Sequence, residues 1–158
     1  MDSVGKGAKL SGMTEFAIRK SFPNLTGQNF TITSPETPEY NCIAWAAGDM
    51  EAWWWPDANN QYYWPEEVPR NESLRAFKYL FENLGYQECE TANYEEGYEK
   101  IGIYRDMQNK TTHASRQLRS GVWTSKLGSI EDIEHPFRGL DSSDYGSVFL
   151  IMKRPNQS

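Results

Sequence analysis

The chain has 158 residues, of which 38% are hydrophobic, and it carries a formal net charge of −6 at pH 7. This length suits one domain with one adequate core. The acidic charge and the lack of a Lys and Arg cluster exclude nucleic-acid binding, because phosphate contacts need such a cluster. No apolar run approaches the roughly 20 residues that span a bilayer, so we expect no membrane association.

The first twelve residues differ in composition from the rest. Residues 1–12 are polar and rich in Gly and Ser, and they contain no apolar signal-peptide core. We therefore expect a flexible tail at 1–12, followed by a single domain at 13–158. The same composition predicts a cytoplasmic protein, or one that is exported without a signal peptide.

Short elements lead to the first cysteine. Residues 13–21 predict a short helical turn, and Phe-Thr-Ile-Thr at 30–33 predicts a short strand. The loop predicted at 34–39 contains two prolines and delivers the chain to Cys42. An alanine-rich run then predicts a helix over 42–52, which ends at the tryptophans before Pro56.

Cys42 is the first chemical signal in the chain. Asn41 precedes it, and the thiol falls in the first turn of the predicted helix. Unpaired backbone N–H groups and the positive end of the helix dipole favour a thiolate at that place.

The remaining chain predicts one more helix and several strands. Asn71 or Ser73 can cap a helix that runs to about Asn83, with one apolar face. Strands are predicted at 86–89, 100–104, 112–119, 122–125 and 147–152, and a turn of helix is predicted at 130–134. This order predicts an α+β fold, with the N-terminal helices packed on one side of an antiparallel β-sheet.

A catalytic pair can form if the strand at 112–119 packs against the Cys42 helix. His113 is one of only two histidines in the chain and stands at the start of that strand. It could take the thiol proton, so that Cys42 attacks a carbonyl. Backbone N–H groups at the helix start, helped by the Asn41 side chain, would bind the oxyanion.

A third polar group should hold the imidazole in orientation. Asp132 is the first choice for this role, and Ser125 and Gln117 are the alternatives. His135, which stands before Pro136, is the alternative to His113 as the base.

Two stretches, YNCIAWA at 40–46 and HASRQLRSGVWTSKLG at 113–128, resemble papain-like cysteine hydrolases. They look most like the compact bacterial branch that includes the NlpC/P60 and CHAP peptidases and amidases. The second stretch is similar to the histidine-bearing hairpin of that branch, in which a strand, Gly, Trp and an S-K-x-G ending follow the His. The resemblance covers about residues 40–154, and the two motifs together suggest a small uncharacterised bacterial family.

The resemblance implies a papain-like fold and a hydrolase that cleaves an amide-type bond as a peptidase or amidase. Its partner would be a peptide or another amide-containing substrate, and no cofactor is expected. Trp123, Ser125 and Lys126 of the hairpin are predicted to bind substrate, with Lys126 either in a structural ion pair or bound to a substrate carboxylate. Two Cys and two His without CxxC or HxxxH spacing predict no metal site. Cys89 is expected to be a buried free thiol.

Two rival functions use other features of the chain. The aromatic runs 53–55 and 62–64 predict core packing, or a ligand platform around Trp54 in a non-catalytic binding module. The acidic segment 88–99 predicts a solvated face, or a surface for a basic protein partner as in an immunity-type protein.

Overall fold

The computed structural model of the protein describes residues 11–127 and 131–157, except for the side chains of residues 11–14. Its helices are α1 (Ser11–Ser21), α2 (Cys42–Ala47) and α3 (Leu74–Asn83). Its strands are β1 (Thr31–Ser34), β2 (Gln87–Cys89), β3 (Tyr98–Arg105), β4 (Thr111–Gln117), β5 (Trp123–Lys126), β6 (Asp132–His135) and β7 (Ser147–Pro155). Of the predicted tail, residues 1–10 lie outside the described residues, and α1 begins at residue 11.

The described strands form one sheet in the order β1-β6-β5-β4-β3-β7-β2. Every neighbouring pair is antiparallel. Strands β3 to β6 follow one another as a meander, and β7 returns to pair with the other edge of β3. The predicted α+β class with an antiparallel sheet is therefore confirmed.

Apolar side chains cover both faces of this sheet. Because side chains alternate along a strand, Ile103 and Tyr104 of β3 point to opposite faces. Ile103 belongs to a core cluster that includes residues of α2 and α3, such as Ile43 and Phe77. Tyr104 belongs to a second cluster, which includes Ile18 of α1. The expectation that the helices share one side is therefore wrong, since Ile18 of α1 packs on the opposite face.

Two elements differ from the prediction, one in its end point and one in its type. Helix α2 ends at Ala47 rather than near residue 52, because Gly48 takes the left-handed conformation with φ of 92° and caps the helix. The segment predicted as a turn of helix at 130–134 instead contains strand β6, which pairs with β5 and β1. Within the described ranges, no helix has the length and hydrophobicity that a membrane crossing requires.

Candidate active site

Asn41 fixes the start of the helix that carries Cys42. Its side-chain Oδ1 accepts hydrogen bonds from the backbone N–H groups of Ala44 and Trp54, each at 3.1 Å. Its Nδ2 donates to the Trp54 carbonyl at 2.8 Å. The amide thus caps α2 and ties it to the tryptophan segment. The oxyanion role predicted for this side chain would compete with these three contacts.

The Cys42 sulfur lies against the backbone of strand β4. The N–H groups of Ala114, Ile43 and Cys42 itself face the sulfur and act to lower the pKa of the thiol, as does the charge of Lys126. Burial acts in the opposite direction and is stronger, because the residue is only 7% exposed. The net result raises the pKa of the Cys42 thiol to about 11.

His113 lies on the other face of β4 from its neighbour Ala114. Ala114 packs in the cluster that contains Cys42, and alternation turns the adjacent imidazole away from that cluster. The ring Nε2 of His113 lies 2.9 Å from the Ser125 hydroxyl, whereas its Nδ1 has no hydrogen-bond partner among the described residues. Burial at 0% exposure holds the pKa of His113 well below its ordinary value, and the nearby His135 adds to this effect.

Two tyrosines contact the His113 imidazole and are also influenced by the charge of Cys42. The Tyr145 ring stacks on His113 with centroids 4.2 Å apart, and Tyr104 meets the imidazole edge-on at 5.0 Å. Burial raises the pKa of both tyrosines, and the proximity of Cys42 adds to the rise. Cys42 therefore lies close enough to influence the two tyrosines that contact His113, but among the described residues no hydrogen bond joins the thiol to the imidazole.

A continuous chain of contacts leads from His113 through Ser125 to His135. The Ser125 hydroxyl lies 2.8 Å from Nε2 of His135, and Nδ1 of His135 lies 2.7 Å from the Pro136 carbonyl oxygen. Antiparallel pairing of β5 with β6 aligns these groups, because Trp123 is opposite His135 and Ser125 lies two residues further along the same face. Of the residues predicted as the third polar group, Ser125 is therefore the one that the fold places beside His113.

Asp132, the first choice for that role, has a different partner. Its Oδ2 accepts a hydrogen bond from the Tyr40 hydroxyl at 2.7 Å. Burial raises the pKa of Tyr40 to about 12, and the carboxylate contributes to the rise. Next to this pair, the fully buried Lys126 donates to the Thr37 carbonyl at 2.7 Å, with its Nζ 5.0 Å from the centroid of the Tyr40 ring.

The other predicted site residues belong to the packed interior. Trp54 is 8% exposed, packs on Tyr63 at a centroid distance of 4.8 Å and donates from its indole to Asp49. Trp123 is buried against Phe137. The Gln117 amide donates to the carbonyls of Ala92 and Gly121. Among the described residues, none of these three side chains has a hydrogen bond to the His113 imidazole.

The sequence predictions included neither the contact of His135 with Ser125 nor the stacking of Tyr145 on the imidazole. The first omission follows from reading residues 130–134 as helix, since only strand pairing brings His135 to the Ser125 side. The second had no sequence signal, because Tyr145 lies in a turn closed by hydrogen bonds between Ser142 and Gly146.

Comparisons with known proteins give one positive finding. No curated protein and no solved structure matches the chain. A family model described as a domain of unknown function, DUF7689, matches residues 31–153, which contain all the residues of the candidate site. The chain therefore belongs to the DUF7689 family.

Proposed function

We propose that the protein is a cysteine-dependent hydrolase of the papain-like type, which cleaves an amide-type bond in a peptide or related substrate. Cys42 is the nucleophile and His113 is the base. The observation that carries this proposal is the setting of the Cys42 sulfur, which faces three backbone N–H groups and the charge of Lys126 next to the His113–Ala114 peptide. These groups favour negative charge on sulfur, although burial outweighs them here and raises the pKa of the Cys42 thiol to about 11.

The proposed reaction requires Nδ1 of His113, which has no hydrogen-bond partner among the described residues, to come within reach of the Cys42 thiol. Nδ1 of His113 takes the thiol proton, and the Cys42 sulfur attacks the substrate carbonyl carbon. Backbone N–H groups at the start of α2 hold the oxyanion, while the protonated His113 gives its proton to the leaving amine. Water, deprotonated by His113, then attacks the thioester and releases the carboxylic acid together with the free thiol.

The papain-like assignment is supported by the placement of the two residues in the fold. Cys42 begins a helix that packs on an antiparallel sheet, and His113 stands near the start of strand β4 in that sheet. The resemblance of residues 113–128 to the histidine-bearing hairpin of NlpC/P60 and CHAP enzymes points to the same class.

Substrate must reach a site that is covered in this structure. Tyr145 shields the His113 ring, and Cys42 is 7% exposed. Displacement of the Tyr145 turn would admit water and substrate. Because burial is what raises the pKa of Cys42, its removal would leave the N–H groups and Lys126 to favour the thiolate.

The same burial supports a second candidate, a non-catalytic binding module in which Cys42 and His113 are core residues. In that case the thiol keeps a pKa of about 11 and reacts slowly. The two candidates differ in the reactivity that they predict for Cys42.

Iodoacetamide labelling separates them. Cys89→Ser leaves Cys42 as the single thiol, and Cys42→Ser leaves the half-buried Cys89 as the matched control. A hydrolase labels faster at Cys42, with a rate midpoint below the ordinary thiol pKa of roughly 8.5, and the midpoint rises when His113→Asn removes the base. Slow labelling with a midpoint near 11 and no effect of His113→Asn would refute the hydrolase.

A further inference from the structure

The series of hydrogen bonds from His113 through Ser125 and His135 to Pro136 has a defined donor-to-acceptor direction. It ends at the Pro136 carbonyl oxygen, which can only accept a hydrogen bond. A carbonyl oxygen has no proton, so the 2.7 Å contact with Pro136 requires the proton of His135 to be on Nδ1. Burial lowers the pKa of His135 to about 4, so the ring is neutral at pH 7 and its Nε2 is an acceptor.

The donor and acceptor in each of the next two hydrogen bonds are then fixed. The Ser125 hydroxyl must donate to Nε2 of His135 across 2.8 Å, because that nitrogen has no proton. The Ser125 oxygen is left with lone pairs toward His113, so Nε2 of His113 must donate to it across 2.9 Å. A neutral imidazole with its proton on Nε2 has a lone pair on Nδ1, the atom without a hydrogen-bond partner among the described residues.

We propose that Ser125 and His135 are positioning residues that fix the tautomer of His113 with its proton on Nε2, so that Nδ1 is the free base. The use of that base toward Cys42 rests on the proposed hydrolase function, but the tautomer does not. When Nδ1 of His113 takes a proton, the hydrogen bonds need no rearrangement, since Nε2 of His113 is already the donor to Ser125. A second protonation at His135 would break the chain, because its Nε2 would then donate toward Ser125.

Long-range ¹H–¹⁵N NMR of the whole protein tests the tautomers directly. The chain has only two histidines, so a His135→Gln spectrum assigns both rings. At pH 7 we expect the proton of His113 on Nε2 and the proton of His135 on Nδ1. A proton on Nδ1 of His113, or an imidazolium form of either ring, would overturn the proposal without the need for any variant.

Ser125→Ala tests the coupling, and Thr124→Val is its matched control. The Thr124 hydroxyl donates to the Ile133 carbonyl at 3.0 Å, and within the described residues it has no hydrogen bond to either imidazole. We expect Ser125→Ala to give a mixture of His113 tautomers and to slow Cys42 alkylation by at least about tenfold, with Thr124→Val unchanged in both. An unchanged single tautomer in Ser125→Ala would contradict the positioning role.

The two proposals can fail separately. If Cys42 proves unreactive while the NMR shows the expected tautomers, the hydrolase is wrong and the hydrogen-bond chain stands. If Cys42 is reactive while the His113 proton lies on Nδ1, the chain is wrong and the hydrolase stands.

An independent observation concerns a cavity of about 610 Å³ at the C-terminal end of α2. Its lining residues include Arg116, Arg119, Arg154 and Glu99, and the Glu99 carboxylate pairs with Arg154 at 3.1 Å. In the described part of the chain, neither Arg116 nor Arg119 has a carboxylate within 4.0 Å. In a protein of net charge −6, this cavity therefore concentrates uncompensated positive charge.

Two of these arginines are held in place by other contacts. Arg116 donates to the Trp45 carbonyl at 3.1 Å and lies 4.6 Å above the Trp45 ring. Arg119 donates to the Gln157 carbonyl at 3.0 Å. Each guanidinium has five N–H donors, so groups remain for a ligand. We infer that the cavity binds a small polyanion with phosphate or carboxylate groups.

Calorimetry with pyrophosphate and, separately, citrate tests this site and distinguishes the two kinds of anion. We expect saturable binding of one of them, weakened about tenfold in Arg119→Gln, a substitution at an exposed side chain. Arg138→Gln is the control, because Arg138 is an exposed arginine that pairs with Asp141 and does not line the cavity. Absence of saturable binding of both anions, or equal affinity in Arg119→Gln and the parent protein, would refute the proposal.

Discussion

Replacement of Asn41 by alanine should destabilise the protein strongly, although the change removes only a few atoms. The side chain is 3% exposed and makes three hydrogen bonds, one to Ala44 and two to the backbone of Trp54. Alanine would remove the cap of α2 and leave both the N–H and the carbonyl of Trp54 without their partner.

The magnitude follows from these contacts. Loss of an Asn cap costs about 1 kcal/mol. Each buried backbone group left without a partner costs about 1–3 kcal/mol. The three effects together predict a loss of about 4 kcal/mol in the free energy of unfolding, a large part of the ~5–15 kcal/mol that stabilises a typical domain.

Urea denaturation measures this loss. With a slope of about 2 kcal/mol per M, the midpoint should fall by about 2 M. Asn71→Ala is the matched control, because the exposed Asn71 side chain accepts one hydrogen bond from the Ser73 N–H, and its loss should stay within about 0.5 kcal/mol. A loss of less than about 1 kcal/mol for Asn41→Ala would show that Asn41 does not tie α2 to the tryptophan segment.

Two further perturbations test other parts of the fold. Burial lowers the pKa of His135 from 6.5 to about 4. Between pH 4 and pH 6.5 the unfolded protein therefore binds more protons than the folded protein. The stability that this group contributes is complete above pH 6.5 and falls by about 3 kcal/mol toward pH 4. Denaturation of His135→Gln across this range should show a correspondingly smaller pH dependence than the parent protein, and equal slopes would contradict the buried neutral ring. Gly146→Ala should cost more than about 3 kcal/mol by thermal denaturation, because Gly146 has φ of +76° and an added Cβ would collide with the Arg105 carbonyl. Gly27→Ala, at φ of +57° in open space, should cost only about 1 kcal/mol, and similar losses for both would refute the close approach at Gly146.

Elements with a full hydrophobic pattern could be predicted from the sequence. Helix α3 begins after Ser73 and ends at Asn83 as predicted, because its apolar face extends over more than two turns. The end of α2 was misplaced since alanine-rich sequence continues to residue 52, and only the left-handed geometry of Gly48 stops the helix. Strand β6 has four residues, which is too short for a period of two to be distinguished from one turn of helix.

The candidate site shows the same division between local and tertiary information. Placement of Cys42 at a helix start depends on neighbouring residues, and the structure has it there. The partner of His113 depends on which of several polar residues the sheet aligns with it. Asp132 and Ser125 both lie on the β5–β6 hairpin, but pairing turns Ser125 toward His113 while Asp132 reaches Tyr40. No spacing along the chain distinguishes these two outcomes.

The covered state of the site and the proposed chemistry are compatible for a physical reason. Burial raises the pKa of Cys42, whereas the Ala114 N–H and the Lys126 charge lower it. The first influence ends when water enters, but the other two belong to strands β4 and β5 and would persist. A thiol that is inert while it is buried would therefore become more acidic if the site opened to water. Reactivity would follow access, so the fast iodoacetamide labelling expected of a hydrolase requires Cys42 to become accessible in the unliganded protein.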